Sequence, residues 1–359
     1  MTKNTRNKVT NQRDCWYDNA KAFLIISVFI GHICECLIKN VPFENGTPLL
    51  LNTLYKFIYV FHMPVFMIIS GHFAKGRIDR NDWIGAFNKL IIPYIVIQLF
   101  MVLFYAITNY SKITLGTIIK PGYGLWYIFV LGIYQIITPL LFKIFRHKWT
   151  LLPASLILML LYLYFAPVLP PPIARIVNFL PFFIFGYLTS KLDFNLLKKP
   201  LFRLMSVLVL VILFVFITQD NILQVVYLSG KRVFREYNEW LGVGKFDLLI
   251  ITIVRYLAGF ISFFFIMGIS PVKKTIFTKL GTRSTFVYIL HLFIIVMLTA
   301  YDKQYGILDF CRNEIFAFAI ILLAIPASFI ITSSPVRKYT KWLVTPNFDL
   351  RKIVRKISK

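Results

Sequence analysis

Ten times along the chain, about twenty consecutive residues are apolar enough to cross a bilayer: near 17–38, 50–73, 87–108, 124–145, 149–168, 173–189, 201–218, 246–269, 284–301 and 313–332. Runs of that length suit helices, which bond every backbone N–H and C=O within the segment and need about 20 residues to span the hydrocarbon core. A β-barrel would need alternating strands of about 10 residues, and uninterrupted runs such as Leu204–Ile217 argue against it. The expected fold is all-α: a polytopic integral membrane protein of about ten transmembrane helices. The chain divides into a basic N-terminal segment, 1–16, a membrane domain, 17–332, and a basic tail, 333–359. With 15% of its 359 residues charged and 58% hydrophobic, against about 25% charged in soluble domains, it is not a soluble enzyme. The first run lacks a small-residue cleavage pattern and reads as a retained span.

Charge sets the expected direction. Of 40 Lys and Arg, 26 fall in the two ends and the loops 74–86, 143–148, 190–203 and 270–283, while 10 fall on the opposite side. Positive charge collects in cytoplasmic loops, so both termini are expected in the cytoplasm. The formal charge of +25 therefore reads as topology, with the tail 351–359 against anionic headgroups and no nucleic-acid partner. The external segment 219–245 is mixed in charge and could form a small lid. Cys15, Cys34, Cys36 and Cys311 show no metal-ligand spacing, and no metal is expected.

Ionisable side chains inside the spans are costly and mark functional sites. Lys21 and His32 are eleven residues apart on the first span, which returns them to one helical face about 16 Å apart. Glu35 lies near the same stripe, where it could accept a hydrogen bond from the His32 ring. His62, close to Pro64, falls mid-span and suits packing or a substrate pocket equally. His291 is placed at a similar depth, where a helix-to-helix hydrogen bond would explain it. Arg255 must pair with an acid such as Asp18 or Glu35 or meet an anionic ligand. Lys75, Arg77, Arg80 and Lys89 bracket the start of the third span and suit a polyanion arriving from the cytosol.

The motifs occur in an ordered set: Lys21 with ten intervening residues before His32; Phe-His-Met-Pro at 61–64 followed by Ile-Ser-Gly at 69–71; Pro93-Tyr94; Leu-Trp-Tyr at 125–127, with Trp126 at its centre; and Tyr-Ile-Leu-His at 288–291. In that order and spacing the chain resembles the transmembrane acyltransferase family 3, in particular bacterial membrane sugar O-acetyltransferases of the fucose 4-O-acetylase type. The resemblance implies that His32 is catalytic, that Lys21 holds a position often filled by Arg, and that the protein sits in a bacterial plasma membrane. The family tends to carry an Arg-x-x-Arg pair before the Pro of the third span. Here the aligned residues are Ala86 and Lys89, and Arg77 and Arg80 keep the spacing about nine residues earlier.

The expected function is transfer of an acetyl or related acyl group from cytosolic acetyl-CoA to a hydroxyl of a cell-surface or lipid-linked sugar, with membrane lipids as surroundings and no permanently bound cofactor. Lys21, Lys89, Arg77 and Arg80 would hold the donor phosphates, and His32, helped by Glu35, would act as general base or carry the acyl group. His62, Trp126, Arg255 and His291 would line the acceptor pocket. The competing expectation is a transporter or flippase of a glycan or lipid-linked sugar; the chain shows no inverted repeat in its favour. The sequence carries no signal for an oligomeric state.

Overall fold

The protein is described from a computed structural model, which covers residues 14–350 except 45, 146, 166–170, 220–243, 347 and 349. Residues 220–243 of the expected lid at 219–245, residues 1–13 of the N-terminal segment and residues 347, 349 and 351–359 of the tail lie outside the described residues. Among the described residues there is no strand, and ten helices are long and apolar enough to span a membrane: α1 Cys15–Asn40, α2 Leu49–Asp79, α3 Trp83–Ile107, α4 Trp126–Ile144, α5 Lys148–Phe165, α6 Ile173–Lys191, α7 Pro200–Thr218, α8 Phe246–Ile269, α9 Ser284–Tyr305 and α10 Glu314–Ile331.

Local chemistry sets where these helices begin and bend. Asp14 caps α1, its carboxylate accepting from the Trp16 N–H, which satisfies one orphan donor of the first turn. α2 runs several residues past its apolar stretch, and a Lys75–Asp79 ion pair at 3.0 Å lies on this extension. Arg77, expected in a loop, therefore stands on a helix. Pro64 removes one helical hydrogen bond from the middle of α2. In α3 a π-helical turn covers Phe87–Ile91, with the Ile92 N–H reaching back to the Phe87 carbonyl. Pro93, which has no N–H to donate, follows immediately. Such single wide turns recur at functional sites, and this one carries Lys89.

α1 lies at the centre, packed by α2, α9, α10 and the short helix Ile276–Gly281. The most extensive helix pair is α2 with α6, where Gly71 and Gly186 permit backbone contact: a Cβ on either would overlap the carbonyl of Phe183 or Ile68. Asn19 fastens the start of α1 to the 270–283 segment. Its amide donates to the Pro271 and Lys273 carbonyls at 2.7 and 2.9 Å, and its carbonyl accepts from Thr275 and Thr278 at 2.9 and 2.7 Å. α7 is the least enclosed span, its outer face carrying Leu204, Leu208, Val211 and Val215, as suits lipid contact. Beyond α10 the amphipathic helix Ser334–Val344 exposes Tyr339 and Trp342 while burying Leu343 and Val344. The Leu350 N–H then bonds Asn88 beside the π turn.

Candidate active site

A cavity of about 1360 Å³ follows α1 from end to end. Asp14, Asp18, Lys21, Ile25, Val28, His32, Glu35 and Lys39 all line it. They recur every three or four residues, so a single stripe of α1 forms one wall over about 37 Å. His32 lies between Lys21 and Lys39 on this stripe, about 16 Å from the first and about 10 Å from the second along the axis. The helical period alone places Lys21 and His32 on one face. That the face borders a continuous cavity depends on the helices around it.

With both imidazoles neutral, the hydrogen bonds fix which ring nitrogen carries the proton. His291 Nδ1 lies 2.7 Å from the Val287 carbonyl, an acceptor only, so Nδ1 carries the proton and Nε2 carries the lone pair. That lone pair faces His32 Nδ1 at 2.9 Å, so His32 must donate from Nδ1. The basic nitrogen of His32 is then Nε2, the one His291 does not engage. The rings stack with centroids 5.1 Å apart and planes 16° apart, holding the donor close to the acceptor lone pair. His291 is fully buried and is not itself a wall of the cavity.

Glu35, expected to orient the His32 ring, is held by other groups. Its Oε1 accepts from Lys39 at 2.5 Å. Its Oε2 accepts from Tyr59 at 3.0 Å and Tyr123 at 2.7 Å. Tyr123 belongs to a clamped loop: Gln98 donates to the Thr117 and Lys120 carbonyls and accepts from the Gly122 N–H, while Tyr105 Oη accepts from the Tyr123 N–H. Burial, followed by the Glu35 charge, pushes the Tyr123 phenol well above its ordinary pKa, so it remains a donor to the carboxylate. The Tyr123 ring also packs on His32, centroids 5.1 Å apart. Tyr59 and Tyr123 carried no sequence signal, since their partner lies on another helix.

At the end of the cavity that holds the start of α1, the lining includes Lys21, Arg77 and Lys89. Lys21 pairs with Asp18 at 2.7 Å and stands over the Phe73 ring. Arg77 donates to the Gln135 side chain. The structure thus brings a cation from each of three helices to one cavity lining. Arg80 is exposed and is not among the lining residues.

Towards the other end stand His62, Trp126, Tyr59, Tyr123, Lys39, Lys120 and Arg175. His62 donates from Nδ1 to the Ile58 carbonyl at 2.7 Å. Arg255, expected in the pocket or paired with Asp18 or Glu35, is not a lining residue. It lies over the Tyr256 ring, while Asp18 and Glu35 pair with Lys21 and Lys39. The arginine that lines this end of the cavity is Arg175, which hydropathy alone assigns to the external charge count.

An acyltransferase domain matches residues 15–333. The chain is similar to the Nodulation protein NolL of Sinorhizobium fredii, 28% identical over 191 residues that make up half of each chain. It is also similar to the Nodulation protein NolL of Mesorhizobium japonicum, 36% identical over 91 residues, a quarter of this chain and 23% of that protein. The chain thus matches half or less of the length of these relatives. No solved structure gives a significant match.

Proposed function

The chain belongs to the transmembrane acyltransferase family 3, matched over residues 15–333, and on that premise we propose that it transfers an acetyl or related acyl group from acyl-CoA to a hydroxyl of a surface or lipid-linked sugar. The observation that carries the reading is the cavity itself, continuous along α1 with His32 between its ends. A donor and an acceptor entering from opposite ends would meet at one imidazole.

The steps follow from the side chains. Lys21, Arg77 and Lys89 hold the donor phosphates by charge-assisted hydrogen bonds, at the cytoplasmic end by the positive-inside tendency. The long, nearly neutral pantetheine arm reaches inward and brings the thioester to His32. His32 Nε2 removes the proton from the acceptor hydroxyl as its oxygen attacks the thioester carbonyl. The new C–O bond forms, the C–S bond breaks, and the thiolate takes the proton from Nε2 to leave as free CoA. His291 accepts from Nδ1 throughout and stabilises the transient imidazolium. Glu35 serves as a frame, fixing Tyr123 and Tyr59 around the ring. In this reading transfer is direct, without an acetyl-histidine, both reactants being brought to the same nitrogen.

The test is incubation of the purified protein with labelled acetyl-CoA and an extract of lipid-linked and polymeric glycans. A labelled ester that appears with the parent protein and disappears with His32→Ala is the expected result. No product in either case would set the reading aside.

A further inference from the structure

The half of the cavity beyond His32 is more positive than a neutral sugar requires. Among the described residues its charged lining comprises Lys39, Lys120 and Arg175 against Glu35, an excess of two positive charges. Glu35 is already taken by Lys39 and the two phenols. Arg175 has no ion-pair partner among the described residues, and its buried Nε has no hydrogen-bond partner. A guanidinium cannot shed its charge, and a charge at the membrane that no nearby side chain neutralises by direct contact is costly.

The surroundings hold this group in place. Its carbon lies 4.2 Å from the centre of the Trp126 ring, whose neighbour Phe179 is 5.1 Å away. The Tyr134 hydroxyl bonds the carbonyls of Arg175 and Ile176, anchoring the backbone at this end of α6. An aromatic support leaves the N–H edge of the guanidinium for a planar or tetrahedral oxyanion.

We propose that the acceptor is an acidic sugar derivative, and that Arg175, supported by Trp126, receives its oxyanion while the hydroxyl is presented to His32. The oxyanion is a carboxylate, as in a uronic acid, or a phosphate, as in a sugar attached to a phosphorylated carrier. This assignment rests on the acyl-transfer reading for the identity of the acceptor end, but its test does not need turnover.

Full-length protein in nanodiscs is titrated at low ionic strength with glucose, glucuronate and glucose 1-phosphate, binding being followed by saturation-transfer NMR. At least one charged sugar is expected to bind about tenfold or more tightly than glucose, the worth of a charge-assisted hydrogen bond, and the tighter of the two names the anion. Arg175→Met should bring that preference within threefold, Arg175→Lys should keep part of it, and affinity for acetyl-CoA should be unchanged in both. A parent protein that binds the three sugars alike, or an Arg175→Met protein with its preference intact, overturns the proposal. Should Arg175→Met fail to fold, judged by size exclusion and CoA binding, the parent comparison alone decides. Absence of acetyl transfer in a protein that keeps the preference would count against the acyl-transfer reading and leave the anion site standing.

Discussion

Replacing His291 tests the proton chain more sharply than replacing His32, because His291 touches no substrate in the account above. His291→Leu removes the acceptor 2.9 Å from His32 Nδ1. An N–H left unsatisfied in a buried site costs about 1–3 kcal/mol. The imidazolium formed during transfer needs that acceptor most, so the cost falls mainly on the transition state. At about 1.36 kcal/mol per tenfold, kcat should drop by roughly 5- to 150-fold with the donor affinity unchanged. His291→Gln is the rescue: its Oε1 stands near the position of Nε2 and is an acceptor, so most of the activity should return. The assay is initial-rate release of free CoA in the presence of glycan extract, with CoA binding measured in parallel as a check on folding. A His291→Leu protein within threefold of the parent would refute the orienting role. A His291→Gln protein as slow as His291→Leu would refute the proton assignment, since an acceptor at that position would then be insufficient.

Three further outcomes are expected. Arg77→Gln should weaken CoA binding about 10- to 100-fold and Arg80→Gln by less than about threefold, measured by titration calorimetry, because only Arg77 lines the cavity; the reverse order would remove Arg77 from the donor end. Glu35→Ala should lower the thermal midpoint in detergent far more than Glu35→Gln, since the alanine leaves two buried phenols without their acceptor while the amide keeps one; equal shifts would contradict the framing role. In a background without native cysteines, Cys placed at the exposed Thr47 should react with an impermeant maleimide on intact cells and Cys placed at Lys199 should not; labelling at Lys199 would invert the proposed orientation.

The spans were legible because hydropathy is a local property: the ten apolar runs agree with the ten helices to within several residues. The largest discrepancy is informative, since the amphipathic end of α2 leaves the apolar window while remaining helical, and this carries Arg77 to the cavity. Along α1 the helical period alone aligned Lys21, His32 and Glu35. What each side chain bonds across helices was not legible. His32 meets His291 from 259 positions away, and Glu35 bonds Lys39, Tyr59 and Tyr123 instead of the His32 ring. Arg175 was lost for a related reason: at the end of a short span it counts as one more external charge until packing shows the cavity beside it.

The most direct test of the central claim, that acyl transfer occurs at His32 between the two ends of one cavity, uses sealed proteoliposomes with glycan extract trapped inside and labelled acetyl-CoA supplied outside. Protein molecules with the donor end outward should esterify the luminal glycan, and His32→Ala should abolish that label while retaining CoA binding; a loss of about 100- to 10,000-fold is typical for a positioned base. Luminal ester formed equally by His32→Ala, or label that arrives inside without being esterified, would contradict the account.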